Sequence, residues 1–191
     1  MDISSRQIAK VIAEHFMEHQ PLIVAIDGRC AAGKTTLAAH LQQELKCAVF
    51  HMDDYFLRPE QRTARRLNAP GGNVDYERFF TEILLPLRNG APQMTYQPYD
   101  CKTQSLKPPI TVSTNSLTIL EGSYSCHPAL WENYDLRIFL TVSPEEQLKR
   151  IKKRNGNTKL IQFQERWIPL EEQYFSAYRI AERCDFCIET V

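Results

Sequence analysis

The sequence predicts an α/β architecture, a three-layer fold in which helices flank a mainly parallel five-stranded sheet. Three observations predict it. Short, nearly continuous apolar runs recur along the chain. Stretches of helical periodicity separate them. The first run ends in glycine just before a glycine-bearing loop and a helix-forming segment. Such runs suit strands covered on both faces, and their alternation with helices implies parallel βαβ units. At 191 residues, with 43% apolar and 24% charged side chains, the chain reads as one domain over 1–191, long enough to bury a substantial core.

Taken in order, Ile3 to His19 places Ile8, Val11, Ile12 and Phe16 at helical spacing. His15 and His19 stand four apart on that helix, but no third ligand accompanies them, so they read as a solvated face. "PLIVAIDG" is the first strand, and Lys34 to Leu45 the helix after it. "CAVFHMDD", "SLTILEGSY", "LRIFLTVS" and "DFCIET" follow as strands two to five. Helical patterns cover roughly Asp75 to Arg88, Pro144 to Arg154 and Phe163 to Arg183. In "SPEE" serine caps, proline takes the first turn and glutamate sits three residues after the cap. Two segments break the rhythm, 58–73 and the proline-rich 94–113, and both read as insertions over a site.

Bulk properties exclude some functions. Lysine plus arginine equals aspartate plus glutamate, which argues against a general nucleic-acid binder. The N-terminal stretch lacks the layout of a secretory signal, and no apolar run nears the roughly 18 residues that span a bilayer. A cytoplasmic location is expected, with the six cysteines reduced. "CDFC" lies in a strand where positions three apart face opposite ways, so it reads as structural rather than as a zinc or redox pair.

The chemistry begins at Gly28-Arg29-Cys30-Ala31-Ala32-Gly33-Lys34-Thr35, a full match to GxxxxGK[ST], followed by Thr36. Glycine lets the backbone turn tightly and point amides at phosphate oxygens, and the helix adds its positive N-terminal end. Lys34 can reach the β and γ phosphates, and the Thr35 hydroxyl can ligate Mg²⁺. A strand before and a helix after supply the required context, so a nucleoside triphosphate site is predicted. Ligands of open α/β sheets sit beyond the carboxyl ends of the strands. Asp53 and Asp54 follow the second strand there, and Glu121 ends the third. Asp53 suits a general base and could also face the metal, Glu121 suits the metal or its water shell, and Asp54 should point elsewhere.

With these residues placed, the chain from about Leu22 onward resembles the uridine kinase branch of the uridine kinase, phosphoribulokinase and pantothenate kinase superfamily of P-loop NTPase folds. "HMDDYF" resembles the segment whose aspartate is the general base, falling on Asp53. "NVDYERF" resembles the ribose-binding segment, falling on Asp75, which is equally placed to N-cap a helix. "PYDCKTQSL" resembles the base-contacting segment, with Tyr99 as its tyrosine and Gln104 able to donate and accept. There the pyrimidine kinases carry phenylalanine, histidine and arginine, and this chain has Cys101, Gln104 and Leu106. "LEGSY" resembles the magnesium segment at Glu121. "LKRIKKR" resembles the arginine-bearing helix and lid, with Arg150 and Arg154 as matches and a lid over about 150–162. "ERWIPLEEQYF" and "ERCDFCIET" also match in character.

These readings converge on an ATP- and Mg²⁺-dependent kinase acting on a hydroxyl of a small metabolite, with a nucleoside as the favoured acceptor. Asp53, Lys34, Arg150 and Arg154 are the expected catalytic groups, with Thr35, Glu121 and Asp53 at the metal. The alternatives are a kinase for pantothenate or another non-nucleoside alcohol, or a nucleotide-dependent switch working with a protein partner. No Asn-Lys-x-Asp segment of the switch GTPases is present. No nucleic-acid or membrane partner is expected, and a homo-oligomer is left open.

Overall fold

The computed structural model describes residues 5–190; residues 1–4, where the expected first helix begins, and residue 191 lie outside them. A five-stranded sheet runs β2 (Ala48–His51), β7 (Leu117–Glu121), β1 (Leu22–Gly28), β8 (Leu136–Thr141), β9 (Phe186–Glu189) from edge to edge. Every neighbour in it pairs parallel, so the sheet is wholly parallel. Every residue of β1 and β7 is buried, as continuous apolar runs require.

Alternation along β1 divides the core in two. Ile23 and Ala25 face a cluster with Phe50, Phe79, Phe139 and Tyr174, and Val24 and Ile26 face one with Ile8, Ile12, Leu37 and Leu41. The first face is covered by α4 (Tyr76–Phe79), a π-helical turn (Phe80–Leu84), α5 (Leu85–Arg88) and α7 (Ile168–Tyr178). The second is covered by α1 (Ser5–Glu18) and α2 (Lys34–Leu45). These are the three layers the strand–helix alternation predicts.

Several boundaries differ from the expected ones. β2 stops at His51, and Met52–Tyr55 turns into a 3₁₀ helix that carries both aspartates. The run α6 (Pro144–Gln162) is two helices joined across a kink at Gly156, whose φ of 79° and ψ of 173° are not helical, so the first ends just past Arg154, close to the expected boundary, and the second is additional. Glycine supplies the positive φ that the break requires. The start of α6 is as expected, with Ser143 accepting from Glu146 N and Pro144 in the first turn. The stretch expected as one helix from Phe163 to Arg183 is a π turn (Phe163–Trp167), α7 and, past Arg179 at φ 52°, α8 (Ile180–Arg183).

The two insertions fold locally. Segment 58–73 holds a 3₁₀ turn and α3 (Ala64–Asn68), capped by Thr63, which accepts from Arg66 N. Segment 94–113 supplies two antiparallel ribbons, β3 (Gln93–Tyr96) with β6 (Ile110–Ser113) and β4 (Tyr99–Asp100) with β5 (Ser105–Leu106). Among the described residues no helix is long and apolar enough to cross a membrane.

Candidate active site

The carboxyl ends of β1, β2 and β7 open onto one cavity of about 1080 Å³. Its floor is the loop between β1 and α2. Gly28 stands at φ 136°, and a Cβ there would lie 1.9 Å from Leu140 O, so the loop can leave the sheet only at a glycine. Ala31 (φ 62°) and Gly33 (φ 91°) also take left-handed angles, which turns successive amides toward one concave surface. Arg29 N is held by Leu140 O at 3.0 Å and Ala32 N by Arg29 O at 3.1 Å, so the loop is pre-formed.

Lys34 folds back over this loop and is 8% exposed. Its Nζ donates to Gly28 O (2.7 Å), Arg29 O (2.9 Å) and Ser123 Oγ (3.1 Å), none of them a carboxylate. Its charge is thus uncommitted and faces the concave surface that would receive phosphate.

Glu121 is almost fully buried at the end of β7. Its Oε1 accepts from Thr35 Oγ1 at 3.1 Å and lies 2.5 Å from His51 Nδ1. Strand register explains the histidine: His51 pairs directly with Glu121 across β2 and β7, so their side chains share a face. Contact with Glu121 raises the His51 pKa above its ordinary value. Thr35 and Glu121 together form an oxygen-only donor set, which suits a hard cation such as Mg²⁺. Among the described residues no three His, Cys, Asp or Glu side chains are arranged to hold a metal. A cation there would complete its shell with phosphate and water, as Mg²⁺ does in such sites.

Asp53 opens into the same cavity from the 3₁₀ turn. Desolvation raises its pKa above the usual carboxylate value; Lys34 opposes that rise, and Glu121 and Glu171 add to it. Asp54 does not line the cavity, and its carbonyl accepts from Arg78 Nη2. Arg150 and Arg154 do line it. Arg150 donates to Ala31 O (3.2 Å), Thr190 Oγ1 (3.0 Å) and Glu146 (3.1 Å), whereas Arg154 contacts only Asn155 Oδ1 at 2.8 Å.

Cys30, Ala31, Ala32, Gly33, Thr35 and Thr36 line the cavity as well, and Gly28 forms its strand junction. Arg29 turns aside to Glu172 and Thr141 Oγ1. The Cys30 thiol is pushed up to about 12 by burial and then by Glu171, so it is no nucleophile at neutral pH.

The three residues expected at the acceptor do not reach this cavity. Asp75 is 1% exposed, caps α4 by accepting from Arg78 N (3.2 Å), and accepts again from Gln61 Nε2 (2.9 Å). Tyr99 is buried and its hydroxyl accepts from Arg62 Nη2 at 2.9 Å. Gln104 sits exposed on the turn between β4 and β5, at φ 54°. Cys101 does line the cavity, together with Phe56, Leu57, Arg62, Leu67 and Asn73.

Sequence reasoning did not single out Ser123 and Glu171. Glu171, on α7, accepts from Cys30 N at 2.9 Å and from Ser123 Oγ at 2.6 Å. A carboxylate therefore holds an amide of the phosphate loop. Two glutamates stand side by side in "PLEEQ", and only the packing of α7 turns the first inward and sends Glu172 to Arg29.

No protein-family model matches the chain. It is 28% identical over 155 residues to uridine kinase-like protein 3 of Arabidopsis thaliana, a match covering 75% of this chain. The match spans only 33% of that relative's length. A solved structure described as a possible uridine kinase from Bacillus stearothermophilus superposes with a TM-score of 0.68 at 21% identity, covering 96% of this chain and 98% of that one. YFH7 of Saccharomyces cerevisiae, described as a candidate P-loop kinase with a circular permutation, superposes with a TM-score of 0.69 at 11% identity over 98% and 99% of the two chains. The chain thus shares its fold with these two solved structures and, over 155 residues, is similar in sequence to a uridine kinase-like protein.

Proposed function

We propose that the chain transfers the γ-phosphoryl group of ATP to a hydroxyl of a small metabolite with the help of Mg²⁺. The observation that carries this is the convergence of Lys34, Thr35, Glu121 and Asp53 on one cavity whose floor is the pre-formed loop. Loop amides and Lys34 bind the phosphates, and Thr35 with Glu121 would hold the cation. When bound, Mg²⁺ screens phosphate charge and orients the transferred group. Asp53 accepts the proton of the acceptor hydroxyl, a role its place on the cavity wall allows. Arg150 and Arg154 offset charge on the transferring group, and the segment over about 150–162 acts as a lid that excludes water. A cytoplasmic site of action goes with this chemistry.

The resemblance favours a nucleoside as acceptor. A second reading, a non-nucleoside alcohol, is favoured by one specific observation: Asp75, Tyr99 and Gln104 have other partners or face solvent, so ribose and base would meet different groups. ADP formation from Mg-ATP with a panel of nucleosides, pantothenate and sugar alcohols tests the reading. Stimulation by one acceptor, abolished in Lys34→Ala and in Asp53→Asn, is the expected result. ATP binding through Lys34 with no stimulation by any acceptor would overturn the kinase reading in favour of a partner-gated NTPase.

A further inference from the structure

His51 ends β2 at the edge of the sheet, and the 3₁₀ turn that carries Asp53 begins with the next residue. That residue, Met52, is fully buried, and a side chain on Gly122 would meet its Cβ at 2.8 Å, so the ends of β2 and β7 are packed in close contact. The packing holds His51 beside Glu121, its direct partner in the strand register. His51 does not line the cavity, and 43% of its side chain is exposed against 4% for Glu121. Whatever it does for the site, it does through Glu121.

The contact divides the two oxygens of that carboxylate. Oε1 takes both donors, Thr35 Oγ1 at 3.1 Å and His51 Nδ1 at 2.5 Å. Oε2 has no protein partner among the described residues and is left for the cavity that Glu121 lines. An ionised carboxylate only accepts, so His51 Nδ1 carries the proton of this bond. The Thr35 hydroxyl alone is a weak anchor, because its oxygen is also wanted by the cation. Two donors on one oxygen fix the carboxylate plane of a side chain with three rotatable bonds, at a place where burial leaves water little access.

We propose that His51 is a positioning residue for the cation: it holds Glu121 by Oε1, leaves Oε2 to be offered to Mg²⁺, and so sets how tightly the metal is held with the nucleotide. The proposal rests on the kinase reading above in taking Thr35 and Glu121 as the residues that hold the cation. Groups that orient a metal-holding carboxylate set metal affinity, and their loss costs roughly 10- to 100-fold. A histidine that merely packed the sheet edge would leave the contribution of the metal unchanged.

The test measures binding first. The Kd of a fluorescent ATP analogue is taken on the full chain in saturating Mg²⁺ and again in EDTA, and the ratio gives the affinity that the metal adds. In His51→Ala that ratio is expected to fall about tenfold, with the EDTA value unchanged. His51→Asn, whose amide nitrogen is a donor placed much as Nδ1 is, restores part of it. His51→Val, suited to an edge strand, repeats the donor-free case if His51→Ala does not fold. The second readout is the Mg²⁺ concentration that gives half-maximal ADP formation, which should rise about tenfold in His51→Ala. A lowered ratio with no turnover of any acceptor would keep the positioning role and remove the kinase reading. Turnover with an unchanged ratio would keep the kinase reading and overturn the role. Equal loss of affinity with and without Mg²⁺, no recovery in His51→Asn, or a ratio that rises in His51→Ala would overturn it as well.

Discussion

Asp27 closes β1 immediately before the phosphate loop and is fully buried. Its Oδ1 accepts from Gly28 N (2.6 Å) and Tyr124 N (3.0 Å), and its Oδ2 from Cys126 N (2.8 Å) and Tyr174 OH (2.8 Å). It thereby ties the loop, the segment after β7 and α7 into one unit. Despite those donors, burial pushes its pKa up from 3.8 to about 6. A carboxyl with a higher pKa folded than unfolded holds its proton longer in the folded state. Its stabilising contribution is therefore full below the unfolded value and lost as pH rises through the folded one. A rise of about two units corresponds to about 3 kcal/mol, of which about 2 kcal/mol falls between pH 4.5 and 7.5. Asp27→Asn removes this titration. It also leaves two donors facing an amide nitrogen, so the variant is less stable than the wild type at low pH. The gap between the two should then shrink by about 2 kcal/mol, or about 4–8 °C in Tm, as pH rises from 4.5 to 7.5. Thermal unfolding of both proteins across that range reads it directly. Parallel curves, or a gap that widens with pH, would refute the assignment of a raised pKa to this buried carboxyl.

Gly28→Ala should cost about 3 kcal/mol or more in urea unfolding, because the new methyl meets the Leu140 backbone and cannot be relieved without parting β1 from β8. Gly33→Ala, with a left-handed φ of 91° but nothing within 4 Å of its Cβ, should cost only about 1–2 kcal/mol; equal losses would show that steric contact is not the cause at Gly28. Glu171→Gln should tighten Mg-ATP binding about tenfold by calorimetry, since it removes a negative charge held at the Cys30 amide while keeping an acceptor oxygen. Weaker binding would instead make that carboxylate a support that the loop requires.

The sequence by itself determined the layers and the phosphate grip, because both depend on local order. The continuous apolar run of β1, the glycine spacing of the loop and the Ser143 cap are properties of neighbouring residues, and they recur in the structure where the chain places them. Helix ends were less legible. Gly156 and Arg179 each leave right-handed helical angles, and after each the chain enters a new helix rather than a loop. The surrounding packing, not local propensity, sets those outcomes.

Tertiary structure alone decided which polar side chains face the cavity. His51 meets Glu121 because the β2–β7 register aligns them. Glu171 meets the loop because α7 packs with one glutamate inward. Asp75 and Tyr99 turn to Gln61, Arg78 and Arg62 because the insertion at 58–73 folds across them and leaves Arg62 at the wall. Each of these depends on contacts between segments far apart in sequence, where a motif records which residues are present but not which way they point. The sequence therefore reports the phosphate chemistry at the loop directly, while the identity of the acceptor is written in side-chain directions that only the folded chain sets.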